Sequence, residues 1–174
     1  MKLWQKLSEK RIRLNRYRSM LKMRFRLPNG YTGDFYLNDI GTLVCALVLT
    51  RDRKVVLARQ FRAGLGRILT ELPAGGVGPN ESPRVAIQRE VLEETGYRGK
   101  IRFIGKSNDD AWSKKIRYHY IITDAVWVRE PQNECSEMTE VVLMSLPKFR
   151  QHIRSANLSD SETAYRTLDA LHLL

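Results

Sequence analysis

The 174-residue chain is 43% hydrophobic and 28% charged, and its 30 Lys and Arg against 19 Asp and Glu give a formal net charge of +11. That length supports one core, the hydrophobic fraction excludes a disordered polyelectrolyte, and the longest apolar run, LVCALVL at residues 43–49, is far too short to span a bilayer. The start, MKLWQKLSEKRIRL, lacks the continuous apolar stretch of a secretory signal, and Cys45 and Cys135 form neither a disulfide framework nor a zinc-ligand spacing. A cytoplasmic protein with no membrane partner is expected.

Ten of the first thirty residues are Lys or Arg, and one, Glu9, is acidic. Within them Leu21, Met23, Phe25 and Leu27 alternate with Lys22, Arg24 and Arg26, the period of a half-buried strand with one basic face. Such a face reads as a solvated sheet surface, as steering for a polyanionic small substrate, or as a binding surface for nucleic acid phosphates. After a Pro28-Asn29-Gly30 turn, short strands are expected at 34–37, 43–50 and 54–59, with Asp52 and Arg53 in a hairpin turn. A loop at 64–66 and an apolar run at 68–72 lead into Pro73 to Asn80, where Pro and Gly exclude a helix.

A helix follows at once. Ser82 is its expected cap, Pro83 takes the first helical position, and Thr95-Gly96 closes it with a residue suited to the left-handed C-terminal cap. Strands are expected at 101–104 and 116–128, a polar loop at 130–139, a further strand at 140–146, and closing helices at 147–155 and 160–173. Strands around one strongly marked helix make an α/β (α+β) domain. The three histidines, His119, His152 and His172, have no ligand spacing and read as structural.

The helix carries Glu90, Glu93 and Glu94, and residues three and four apart share a face, so three carboxylates converge. Like charges at that spacing cost about 0.2–0.5 kcal/mol per pair, and the macrodipole disfavours them toward the C-terminal end. A hard divalent cation would offset this, and Arg89 would neutralise one acid and orient it. Val85, Ala86, Val91 and Leu92 supply an apolar side for the core.

Spacing adds a second constraint. Gly75, Glu81, Arg89, Glu90, Val91, Glu93, Glu94, Gly96 and Tyr97 satisfy G-x5-E-x7-R-E-U-x-E-E-x-G-U, with U bulky and apolar or aromatic. The seven fixed letters alone arise by chance at on the order of 10⁻⁸ per start position. The segment resembles the defining box of the Nudix hydrolases. The resemblance implies a mixed β-sheet sandwiched between helices and a metal-dependent hydrolase acting on a nucleoside diphosphate linked to another group. It implies Mg²⁺ or Mn²⁺ held by Glu90 and Glu94 with the carbonyl of Ala74, Glu93 as a further ligand or support, Arg89 as the orienting residue, and the least direct role for Glu81.

The flanks narrow the resemblance. Arg59-Gln60-Phe61-Arg62 followed by Glu71-Leu72-Pro73-Ala74-Gly75 is similar to the ADP-ribose and nucleoside-diphosphate-sugar pyrophosphatase branch. Gln60, Arg62 and Glu71 would then bind substrate, Arg62 as a planar donor to diphosphate or ribose oxygens. In this branch a second acid comes from a loop before a late strand, which here implies Glu137, then Glu134, as general base, with Glu137 also a metal ligand. Residues 1–38 would be a strand extension that pairs in a homodimer and 39–174 the catalytic core of one domain. The branch's proline-containing motif past the box is replaced by Asp110-Ala111-Trp112-Ser113-Lys114-Lys115, which leaves the substrate open. Trp112 would stack on a base or sugar, or simply pack beside two solvated lysines. The readings that stand are a nucleotide-sugar hydrolase giving a nucleoside monophosphate and a sugar phosphate, a hydrolase of RNA 5′ ends or dinucleoside polyphosphates, and a non-catalytic nucleic-acid-binding module.

Overall fold

The computed structural model describes residues 1–15, 18–39, 41–132 and 138–174, which fall into two units. The first comprises Met1–Thr42 with Ser107–Arg117. Its antiparallel sheet runs β1 (Gln5–Arg13), β2 (Ser19–Arg26), β3 (Thr32–Asn38), with the alternating strand in the middle. Leu21 and Met23 are buried, and the same face gathers Trp4, Phe25 and Phe35, with ring centroids 5.1–6.0 Å apart. β1 was not expected, because QKLSEKRIR shows no apolar alternation. It forms by pairing with β2 from Gln5↔Arg26 to Arg13↔Ser19, with an irregularity between Lys6 and Ser8.

The second unit comprises Leu43–Lys106 with Tyr118–Leu174. β4 (Leu43–Thr50) and β5 (Lys54–Arg62) make the expected hairpin, in which Arg53 takes a φ of 59°. β6 (Arg67–Glu71) pairs with β5 and β7 (Ala74–Gly76) with β4. The box helix is α1 (Pro83–Thr95), with the expected cap, first residue and terminus. β8 (Tyr97–Asn108), β9 (Ile116–Trp127) and β10 (Thr139–Ser145) complete a seven-stranded sheet ordered β10-β5-β4-β9-β8. The chain closes with α2 (Leu146–His152) and α3 (Ser161–Ala170), both shorter than expected.

Period-two alternation in β4 and β5 builds two cores. Cys45, Leu47, Leu49, Val55 and Leu57 face Phe149, Ala164 and Leu168 of the closing helices, while Val44, Ala46, Val48 and Val56 face Ala86, Ile87 and Val91 of α1. Each fully buried Leu or Phe there contributes about 1.5–3 kcal/mol. The sheet is therefore sandwiched between helices, as the resemblance implied. β8 is three times the expected length, because its exposed Arg98, Lys100 and Arg102 hide the strand from a reading based on apolar residues. β7 lies in the stretch read only as breakers. Glu134, Cys135 and Glu137 lie outside the described residues.

Candidate active site

β7 delivers the chain to the box helix. Its three residues pair antiparallel with β4, Ala74 opposite Cys45, Gly75 opposite Val44 and Gly76 opposite Leu43. Glycine at 75 leaves room for Glu90, because a Cβ there would overlap its carboxyl group and displace it. The Ala74 N–H donates to Glu94 Oε2 at 3.1 Å, and Glu94 is buried. Two adjacent residues of one short strand thus hold the two carboxylates expected to bind metal.

Arg89 organises the remaining acids. Its Nε and Nη2 donate to the two oxygens of Glu81 at 3.0 and 3.1 Å, Nη1 to Glu90 Oε1 at 2.8 Å and to Glu93 Oε2 at 3.0 Å, and Nη2 also to the Gly76 carbonyl at 3.0 Å. These five bonds match the five donors of a guanidinium. Glu81 is itself fixed by the Gly78 N–H at 2.9 Å. Its carboxyl is held below the ordinary carboxylate range, by Arg89 first and the Gly78 N–H second. Arg89 in turn holds its proton more tightly than a free guanidinium, chiefly through Glu81, with Glu90 and Glu93 adding to it against the effect of partial burial. Glu81, given the least direct role from sequence, anchors the residue that orients the others.

The donor set fits a hard divalent cation, being all oxygen with two carboxylates seated against Ala74 and Gly75. Among the described residues no three His, Cys, Asp or Glu side chains group to hold a metal ion unaided. The chain leaves and regains the site on either side of residues 133–137. The Gln132 N–H donates to the Glu93 carbonyl at 2.8 Å, and Thr139 Oγ1 to the Glu94 carbonyl at 3.3 Å. Gly96, with a φ of 73°, ends the helix where the Arg129 carbonyl approaches too closely for any Cβ.

Of the flanking residues, Arg62 donates from Nε to Glu71 Oε2 at 2.5 Å. The Glu71 side chain is 0% exposed, against 37% for Arg62, and its other oxygen accepts from the Ser159 hydroxyl. Glu71, expected to bind substrate, is therefore turned inward and positions Arg62. Ser159 was missed, since nothing in the sequence near it signals a partner 88 residues away. Gln60 is buried and lines a cavity of about 290 Å³ with Arg59, Phe61, Ile68, Thr139 and Glu140. Glu140, read as a strand residue, lies in β10 opposite Arg59.

Trp112 belongs to the other unit, where its exposed ring stacks on Phe35 at 6.4 Å. The neighbouring lysines are not free cations there: Lys114 pairs with Glu9 at 3.3 Å and Lys115 with Asp109 at 2.9 Å. His119 bonds the Thr163 hydroxyl at 2.8 Å and His152 the Thr70 carbonyl at 2.7 Å, structural roles in both cases.

A model of the NUDIX domain matches residues 41–164. The chain belongs to the Nudix family. It is 29% identical over 143 residues to an ADP-ribose pyrophosphatase of Bacillus subtilis (strain 168), covering 80% of this chain and 77% of that one. It is 27% identical over 143 residues to the methanol dehydrogenase activator of Bacillus methanolicus, covering 79% and 76%. A solved structure described as an ADP compounds hydrolase superposes with a TM-score of 0.81 over 100% of this chain and 98% of that one, at 15% identity, a likeness of fold. The similarity runs to the ADP-ribose pyrophosphatase-like branch, and the chain is a Nudix pyrophosphohydrolase.

Proposed function

We propose that the protein hydrolyses the diphosphate linkage of a nucleoside diphosphate joined to a sugar, ADP-ribose or a related compound, releasing a nucleoside monophosphate and a sugar phosphate. The observation that carries this reading is the seating of Glu90 and Glu94 on Gly75 and Ala74, with Arg89 of the same helix fixing Glu81, Glu90 and Glu93. Glu90, Glu94 and the Ala74 carbonyl would hold the cation, Mg²⁺ or Mn²⁺. When bound, such a cation neutralises charge on diphosphate oxygens and lowers the pKa of water.

The chain's own residues do the rest. Arg62, oriented by buried Glu71, offers Nη donors to a diphosphate or ribose oxygen, and Gln60 lines the adjoining cavity. Glu137, with Glu134 next, is the proposed base that takes a proton from the attacking water. The bonds of Gln132 and Thr139 to the Glu93 and Glu94 carbonyls support that reading, because these two residues flank both acids in the sequence and lie against the box helix. Water adds to one phosphorus, the anhydride P–O bond breaks, and the second phosphate leaves with its electrons.

The protein is proposed to act in the cytoplasm as a homodimer, a reading supported by exposed Leu3, Trp4 and Leu7 at the start of the chain. Light scattering of the wild type against a chain lacking the first fifteen residues tests this, and a monomeric wild type would overturn it. The activity is tested by chromatographic separation of the products formed from ADP-ribose, other nucleoside diphosphate sugars, dinucleoside polyphosphates and 5′-triphosphorylated RNA with Mg²⁺ or Mn²⁺, for wild type and Glu94→Gln. Turnover of sugar nucleotides that vanishes in the variant is expected. Turnover confined to RNA or polyphosphates, or none at all, would overturn the reading.

A further inference from the structure

Helical spacing gives α1 a third surface besides its core stripe and its acidic one. Gln88 and Leu92 lie about half a turn away from Glu90 and Arg89 about a quarter, and the three line a cavity of about 440 Å³. Tyr97 and Ile122 add apolar lining, and Arg98 and Arg129 line it as well.

Two features of this cavity are unexplained by the hydrolytic site. Arg129 Nε is buried and has no hydrogen-bond partner among the described residues. A buried donor left in that state is destabilising unless something else supplies an acceptor. Arg98, exposed at the rim, pairs with no carboxylate among the described residues. The one acid lining the cavity, Glu93, already accepts from Arg89 at 3.0 Å, and the five donors of Arg89 are committed to the acids and the Gly76 carbonyl. Among the described residues, the cavity therefore offers two guanidinium groups without a carboxylate partner beside an apolar wall.

We propose that this cavity is a second, separate anion site that binds a phosphate monoester carried on a small apolar body. A guanidinium fork matches phosphate oxygens, two such forks match the near-dianionic charge of a phosphate monoester at neutral pH, and Leu92, Tyr97 and Ile122 receive the body. The acceptor missing from Arg129 Nε is then a phosphate oxygen.

The test uses the whole chain in EDTA, so that binding is read without hydrolysis and its outcome is separate from that of the proposed activity. Phenyl phosphate and inorganic phosphate are titrated calorimetrically into wild type, Arg98→Gln and Arg129→Gln. Saturable binding of phenyl phosphate is expected, weakened about tenfold in each variant, the effect of losing one charge-assisted pair. Arg98 is on the surface, so Arg98→Gln reports on the site even if Arg129→Gln folds poorly. Absence of saturable binding, or affinity unchanged in Arg98→Gln, would overturn the proposal. Equal affinity for the two probes would overturn the assignment of an apolar body and leave free phosphate as the ligand.

Discussion

The Glu90 carboxyl group occupies the space that a side chain on Gly75 would need. Alanine at 75 therefore has to expel Glu90 from its seat against β7, although the two residues are fifteen positions apart. Gly75→Ala is expected to reduce kcat/KM by about 100-fold, the scale of an ångström-sized misplacement, and to cost about 1–3 kcal/mol through overcrowding. Mn²⁺ titration separates the effects: metal affinity falls with Glu90, whereas a purely global destabilisation leaves the affinity of the folded fraction intact.

Arg89→Lys retains the charge and removes the fork. Lysine's three donors cannot serve Glu81, Glu90, Glu93 and the Gly76 carbonyl together. A loss of about 1–3 kcal/mol is expected, less than for a fully buried pair because Arg89 is 36% exposed. Chemical denaturation measures this, and a variant as stable as wild type would contradict the central role given to the guanidinium.

Glu81 makes stability depend on acid pH in a definite direction. Its folded-state pKa lies below the ordinary value of 4.5, so its contribution is complete above that value and is lost as pH falls through the lowered one. Thermal midpoints followed from about pH 6 to about pH 3 should fall more steeply for wild type than for Glu81→Gln. Parallel curves would show that the Arg89 contact does not act through the charged carboxylate.

Ser159→Ala removes one of the partners of an unexposed carboxylate. A cost of about 1–3 kcal/mol is expected from leaving a Glu71 oxygen unsatisfied. Glu71 held from one side only orients Arg62 less firmly, so the kinetic signature is a raised KM for a sugar nucleotide with kcat little changed, read from steady-state rates. A fall in kcat at constant KM would place Ser159 elsewhere in the mechanism.

The box helix was legible because its signals are local: a capping serine, a proline at the first position, a left-handed glycine and a fixed acid spacing all lie within one segment. The central hairpin was legible for the same reason, through apolar alternation and a turn. What escaped depends on partners distant in sequence. β1 has cations on both faces and exists as a strand through its register with β2. β7 is three small residues that become a strand by pairing with β4. The inward turn of Glu71 rests on Ser159, and the bonds from Gln132 and Thr139 to α1 rest on the path of a loop, neither of which has a sequence period.

Cys45 faces Ala74 across the β4–β7 pairing and has no exposed surface. Its side chain packs in the core with Phe149, Ala164 and Leu168 of the closing helices and with Ala74 of β7, so its thiol meets a reagent only when that packing opens. In a Cys135→Ser background, the rate at which Cys45 is alkylated is therefore a clock for local opening of the core beside β7. Any ligand that tightens the grip of Glu90 and Glu94 on that strand should slow the clock.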